Sequence, residues 1–434
     1  MSTPINIFWF RRDLRLDDNT GLYEALTSDV AILPIFIFDT EILEKLPKDD
    51  ARVTFIHDTL QSIRKTLQTD HHSSLGIFHG RPHDVFRQLL STYTIKSVFT
   101  NHDYEPYATQ RDQEVKALLV EHDVDLFTYK DQVVFERNEV VKDDGNPYVV
   151  YTPYMRKWKE RFRKTSLVIR EIVPHLTNLV QDQDLPDLSL SDIGFERSVI
   201  PVVTYDDSSG LIKDYEATRN FPATDQTSRL GPHLRFGTVS VRKMVQKATA
   251  ATNETFWNEL IWREFFMQIL WHFPHTVNKA FKPKYDRIEW RNDEEDFKRW
   301  CAGHTGYPLV DAGMRQLNQT GFMHNRVRML VGSFLCKHLL IDWRWGEAYF
   351  AEKLHDYEMA SNVGNWQWVA GCGVDAAPYF RIFNPTTQIK KFDADHHYIA
   401  KWVPDYQELT YPQPMVDHKM ARERCLAVYK AAVS

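Results

Sequence analysis

The sequence predicts an α/β N-terminal domain built on a parallel sheet, followed by an all-α C-terminal domain. Three observations carry that reading. The first 130 residues alternate short apolar runs with helical runs, as strands do when crossover helices cover both faces of their sheet. From about residue 210 the strand pattern disappears and only helical spacing remains. The length of 434 residues exceeds what one hydrophobic core organises and fits two or three domains.

In chain order, "INIFWF" (5–10) reads as a buried strand and "TGLYEALTS" (20–28) as the helix after it. "VAILPIFIFD" (30–39) is a second strand and "ARVTFIHDTLQSIRKTLQ" (51–68) a helix. "LGIFHG" (75–80) and "KSVFTN" (96–101) are two more short apolar runs, with "HDVFRQLLSTY" (83–93) between them. "ATQRDQEVKALLVEHDV" (108–124) is a further helix, and "DLFTYK" (125–130) follows it. The layout is Rossmann-like, but the turn after the first strand is "RRDLRLDDN", not a glycine-rich phosphate loop, which argues against a dinucleotide at that position. Residues 131–205 read as an interdomain connector, containing "KDDGNPYVVYTP" and the polar "QDQDLPDLSLSDIG". Within it "RKWKERFRK" (156–164) interleaves basic and aromatic residues, as a nucleic-acid contact or a solvated helix would. In 206–434, "WNELIWREFFMQILWHF", "PLVDAGMRQLNQ", "HNRVRMLVGSFLCKHLLIDW" and "GEAYFAEKLHDY" have helical spacing.

Composition narrows the class. Apolar residues make up 43% and charged residues 26%, a globular balance. Net charge is −6, so any nucleic-acid contact must come from a local patch. Cys301, Cys336, Cys372 and Cys425 form no close pairs, which argues against a zinc ribbon or iron–sulfur cluster and fits a reducing compartment. The opening "MSTPINIFWFRRDLRL" turns charged after ten residues, unlike a signal peptide, and no apolar run of about 18 residues suggests a membrane span. A cytoplasmic protein is the simplest expectation.

Four segments carry candidate chemistry. In "EMASNVGNWQWVAGCG" (358–373), a helix over 358–368 puts Glu358, Asn362 and Trp366 on one stripe, with Trp368 about 200° around from Trp366. One tryptophan can then touch a planar cofactor while the other faces a second ligand. Gly364, Gly371 and Gly373 would let a flat group approach the backbone; an aromatic core helix with packing glycines is the plainer alternative. In "NELIWREF", Glu259, Trp262 and Arg263 share a face suited to a polar aromatic ligand, or to a surface ion pair beside a buried ring. In "MHNRVRM", Arg326 and Arg328 cannot share one helical face, so one can hold a phosphate while the other pairs with a carboxylate. In "DQTSRLGPHLRFGTVS", Thr227 and Ser228 precede a helical pattern, as at an anion-binding helix start.

Together these segments resemble the photolyase/cryptochrome flavoproteins over nearly the whole chain. "FWFRRDLRLDDN", "NHDYEPYATQRD", "TSRLGPHLRFGTVS", "NELIWREFF", "TGYPLVDAGMRQLNQTGFMHNRVRM", "LLIDWRWGEAYF" and "NVGNWQWVAGCGVDAAPYFRIFNPTTQIKKFD" follow in family order, and "YPQPMVDHKMAR" resembles the tail of class I enzymes acting on cyclobutane pyrimidine dimers. The resemblance implies an antenna-chromophore domain at 1–130 and a helical FAD-binding catalytic domain at 206–434. It implies FAD contacts from Tyr215, Thr227, Ser228, Arg229, Leu230, Arg263, Arg328, Asp356, Glu358 and Asn362, the last facing flavin N5. Glu259, Trp262, Asn325, Met329 and Trp368 match dimer contacts, and Arg326 a DNA-phosphate contact. Trp366, Trp343 and Trp290 match an electron-transfer chain, which accounts for part of the twelve tryptophans. Two positions depart from the family pattern: Glu358 stands where many members have Asp, and Gly231 where many have Ser.

The implied activity is repair of cyclobutane pyrimidine dimers in UV-damaged DNA by a monomeric enzyme with no metal. Excited reduced FAD passes an electron to a dimer flipped out of the duplex. A cryptochrome-type photoreceptor is the main alternative. Against it stand Asn362, where plant cryptochromes typically carry Asp, the complete dimer-contact set, and a chain that stops soon after the family tail. A (6-4) repair enzyme lacks support in "FFMQILWHF", and an ordinary flavin oxidoreductase leaves the tryptophan chain unexplained. The resemblance also implies a second, antenna chromophore, either folate, deazaflavin or flavin. Asn101 and Glu105 lie in the relevant motif.

Overall fold

The computed structural model describes residues 3–181 and 184–434. Residues 182 and 183 of the expected polar connector, and the first two residues of the N-terminal stretch, lie outside the described residues. The chain forms two compact units whose segments interleave along the sequence: Met1–Glu136, Glu160–Val202 and Gly231–Lys247 in one, Arg137–Lys159, Val203–Leu230 and Ala248–Ser434 in the other. Residues 131–205 are thus shared between the units and do not form a body of their own.

In the first unit, five parallel strands, β1 (Ile5–Phe10), β2 (Ile32–Asp39), β3 (Gly76–Gly80), β4 (Ile95–Asn101) and β5 (Asp125–Tyr129), are ordered β3-β2-β1-β4-β5. On β1, Ile7 and Trp9 enter one core cluster while Phe8 and Phe10 enter another. That is the period-two alternation of a strand buried on both faces. The order reverses between β1 and β4, the topological switch point of such sheets. There the loop after β1 is tied down by Asn101, whose Nδ2 donates to Asp13 Oδ2 (2.5 Å) and Asn19 Oδ1 (2.8 Å) and whose Oδ1 accepts from the Gly21 amide (2.8 Å). Asn101 is buried and its amide is occupied within the protein. Glu105 accepts from Arg12 and Arg235 (3.1 and 2.9 Å).

The second unit is helical. Its main core gathers the helices Pro308–Thr320, Asn325–Ser333, Trp343–Lys353 and Met359–Ala370 and their neighbours, and the helix Thr255–His272 packs against Met359–Ala370. The single helical run expected over 324–343 is broken: Asn325–Ser333 passes into a π-helical turn, Phe334–Leu339, which ends at Leu340 with a positive φ of 56°. Asp342 then caps a new helix, accepting from the Arg344 amide at 3.0 Å. Apolar spacing cannot announce a widened turn, because the side chains stay on the core face.

The basic–aromatic run 156–164 lies on the helix Tyr151–Lys164. Trp158 is buried with its N–H donating to Glu264, and Lys159 is buried against Glu254 (2.8 Å) and the Trp257 ring (4.5 Å). Those side chains serve packing, while Arg156, Arg161, Arg163 and Lys164 are exposed. No helix among the described residues is long and apolar enough to cross a membrane.

Candidate active site

The helical unit encloses a cavity of about 450 Å³, and most of the singled-out residues meet in its wall. Glu259, Trp262 and Arg263 reach it from the Thr255–His272 helix. Asn325, Arg326, Arg328 and Met329 come from Asn325–Ser333. Asp356 and Glu358 come from the turn before Met359–Ala370, and Asn362, Trp366 and Trp368 from that helix itself. The two tryptophans, expected to face different ways, line one and the same space. Trp366 is buried and Trp368 half-buried.

Charge in the wall is paired in a definite pattern. Arg328 holds Asp356 through two bonds (3.1 and 2.9 Å), and Arg263 approaches Glu358 at 3.7 Å. The longer Glu358 side chain therefore keeps a carboxylate beside the arginine. Glu259 is paired with Arg219, not with Arg263. Among the described residues, Arg326 has no carboxylate partner. It donates to Asn220 Oδ1, lies over the Phe392 ring at 4.4 Å, and its buried Nε has no acceptor. Of the two arginines, Arg328 is thus the one that pairs with a carboxylate.

The Asn325–Ser333 helix is capped by His324, whose Nδ1 accepts from the Arg326 amide at 3.1 Å. Burial, helped by Arg328 and Arg326, pushes His324 down to about 4, so the ring stays a neutral acceptor at neutral pH. Asn362 donates through Nδ2 to the Glu347 backbone carbonyl (3.1 Å) and to Glu347 Oε1 (2.9 Å). A backbone carbonyl only accepts, so the amide orientation is fixed and Oδ1 is the group left for the cavity. Burial holds the Glu347 carboxyl above its usual range.

Other expected residues lie away from the wall. Trp343 is buried in the same core cluster as Trp366, and the half-buried Trp290 packs against that cluster and edge-on to Tyr429 at 5.9 Å. Tyr215 stands edge-on to Phe256, with burial pushing its hydroxyl up to about 12. Ser228 and Leu230 are buried, and Arg229 pairs with Asp225 (2.6 Å). Thr227 Oγ1 is buried without a partner among the described residues. Gly231 opens a five-residue helix, Gly231–Arg235.

Of the two roles the sequence leaves open for the glycines, the structure shows the plainer one, packing. A Cβ on Gly364 would strike the Phe266 ring, one on Gly373 would strike Gln367, and Gly371 ends its helix at φ 90°. They serve helix packing and termination, not ligand approach. The glycine that fits Trp366 is Gly346, whose added Cβ would penetrate the indole ring. Gly346→Ala is expected to destabilise the protein by about 1–3 kcal/mol. Gly210→Ala, with nothing within 4 Å, should change stability by less than about 1 kcal/mol. Urea midpoints of the two variants check this contrast.

Arg219, Phe266, Gly332, Phe350, Tyr357, Ser361 and Asn365 also line the cavity and were not singled out. Ser361 and Asn365 are four apart and adjoin the Glu358–Asn362 stripe, so a wider helical face would have included them. Arg219 carries no such signal.

The cavity offers aromatic walls, a fixed amide carbonyl, paired arginines and, elsewhere in this unit, an unpartnered buried hydroxyl at Thr227. These features suit a flavin dinucleotide, which has a flat ring and a pyrophosphate. Fold and site thus define a two-unit flavoprotein, α/β and helical. Residues 6–174 match the family model described as DNA photolyase, and residues 256–410 that of the FAD binding domain of DNA photolyase. A deoxyribodipyrimidine photo-lyase of Halobacterium salinarum is 36% identical, covering 99% of both chains. Among solved structures, a bacterial class III photolyase from Agrobacterium tumefaciens superposes with a TM-score of 0.88 at 33% identity, covering 100% of this chain and 98% of that one. An archaeal photolyase from Sulfolobus tokodaii with two FAD molecules gives 0.84 at 32%, covering 99% and 100%. A cryptochrome of Synechocystis gives 0.85 at 25%, covering 99% of each. The chain belongs to the DNA photolyase family, and it carries that family's FAD-binding domain.

Proposed function

We propose that this enzyme repairs cyclobutane pyrimidine dimers in DNA, using light absorbed by reduced FAD. One observation carries the reading: residues that the family resemblance assigns to FAD and residues it assigns to the dimer line one common cavity. Bound FAD supplies the photoexcited electron donor. The protein's own groups do the rest. Asn362 Oδ1 would accept an N–H of the bound ring, and Glu347 holds the amide in the orientation this needs. Arg263 and Arg328 favour negative charge on the ring, with Glu358 and Asp356 fixing the two guanidinium groups. Trp262, Trp368 and Met329 offer apolar and stacking surface to a flipped-out dimer, and Glu259 and Asn325 offer hydrogen bonds to its base edges. Arg326 is left to meet a DNA phosphate. Trp366, Trp343 and Trp290 deliver electrons from outside. We further propose that the α/β unit, whose sheet has a switch point beside Glu105, holds a second chromophore. The two FAD molecules of the Sulfolobus tokodaii photolyase support a flavin there.

The class of lesion is set against a class III structural relative and a cryptochrome relative, so activity is the deciding test. Purified protein is expected to release FAD in near equimolar amount. Under blue light with a reductant it should remove thymine dimers from an oligonucleotide, and in the dark it should remove none. Light-dependent flavin chemistry without dimer loss would favour the photoreceptor reading, and release of no flavin would sink both.

A further inference from the structure

Tyr151 adjoins the cavity wall without lining it. Its ring stacks on Trp262 with centroids 3.6 Å apart and planes 7° apart, and it is buried. Aromatic quadrupoles favour offset or edge-on contacts over so flat a pairing, so the stack must be held from outside. Two tethers hold it. The Tyr151 hydroxyl donates to the Asn258 carbonyl at 2.7 Å, one turn before Trp262 on the same helix. Its backbone N–H, at the first residue of Tyr151–Lys164 where no intrahelical acceptor exists, donates to Asp375 Oδ2 at 3.2 Å. Asp375 itself sits at a φ of 44°, a left-handed conformation that Asp tolerates better than most residues. Phe265 meets Trp262 edge-on at 5.7 Å, and Phe266 stacks on it at 5.6 Å and 28°. The half-buried indole is therefore flanked by three rings, with its remaining surface on the cavity.

We propose that Tyr151 is a positioning residue for lesion recognition. It fixes Trp262 from behind, so that a flipped-out pyrimidine pair meets a preformed aromatic wall. This inference depends on the reading of the cavity as a lesion site. A free tryptophan side chain must be immobilised when a base packs on it, and that ordering weakens binding. A ring already held by Tyr151 avoids the loss. On this reading phosphate is met by Arg326 and not by the Tyr151–Trp262 pair, so binding of undamaged DNA should not depend on the stack.

The test uses the FAD-loaded full chain. The variants Tyr151→Ala, Tyr151→Leu and Tyr151→Phe are titrated against matched oligonucleotides with and without one thymine dimer, with FAD content and melting temperature recorded for each. Ala and Leu should lose about tenfold in affinity for the dimer DNA only, the cost of ordering one side chain. Phe, which keeps the ring and loses only the Asn258 tether, should restore most of it. If the Ala variant does not fold, the Leu and Phe pair decides. Equal losses on both DNAs, no loss in Leu, or Phe no better than Leu each overturn the inference. A parent protein that cannot tell the two DNAs apart overturns the functional reading and this inference with it. A discriminating parent whose Leu variant discriminates equally well overturns this inference alone.

Discussion

Trp366→Phe is expected to abolish light-driven reduction of the bound oxidised flavin by external donors, while the protein stays folded and FAD-loaded. Trp366 is the tryptophan at which the cavity meets the core: it lines the cavity, is 3% exposed, and belongs to the buried cluster that also contains Trp343. Phenylalanine keeps the apolar contact with Phe350, now edge-on at 5.0 Å, but it is far harder to oxidise than an indole. The lost volume should cost about 1–3 kcal/mol of stability, within the usual margin of a folded domain. Repair by protein already carrying reduced flavin should continue, because that electron does not pass through Trp366. The measurement is the bleaching of oxidised flavin under blue light with a thiol donor, compared with the parent, alongside repair by chemically reduced protein. Undiminished bleaching would place the electron route elsewhere. Loss of both reactions would make Trp366 a structural support of the flavin site.

Much of the architecture was legible because it depends on local patterning. β1 falls on "INIFWF" residue for residue, β2 falls within "VAILPIFIFD", β3 and β4 fall on the two further apolar runs, and the helices between them lie where helical spacing puts them; β5 carries no strand signal of its own. A strand buried on both faces has to be continuously apolar, and a sequence shows this directly. The cavity was legible in part for the same reason: Glu259, Trp262 and Arg263 share a helical face, and so do Glu358, Asn362 and Trp366. What spacing could not show were partners distant in sequence. Arg219 takes Glu259 across forty positions, and Tyr151 takes Trp262 from a segment that reads as irregular. The two roles open to the glycines could not be told apart for a related reason. A missing side chain looks the same in sequence whether a ligand or Phe266 fills the space. The π-helical turn at Phe334–Leu339 also left no trace in the apolar pattern.

The Arg219–Glu259 pair sets the sign of the second large effect. Trp262→Ala and Glu259→Ala are both expected to weaken binding to dimer-containing DNA by about 1–3 kcal/mol, roughly tenfold to a hundredfold. Their effects on undamaged DNA should differ. Removing Trp262 changes no charge, so undamaged affinity should stay as it is. Removing Glu259 leaves Arg219 without its carboxylate, close to Arg326, whose charge Arg219 already opposes. The cavity mouth becomes more positive, and undamaged DNA should bind modestly tighter, most visibly at low salt. Arg326→Ala should do the reverse. It should weaken both complexes by a similar factor and flatten the salt dependence by about one unit of slope, as loss of one phosphate contact does. Titrating the three variants against matched DNA with and without a thymine dimer, at two salt concentrations, separates these outcomes. If Trp262→Ala lowers both affinities by the same factor, the ring serves packing and the dimer pocket lies elsewhere. If Glu259→Ala weakens undamaged DNA as well, the carboxylate acts by holding Arg219 toward phosphate and not by reading a base.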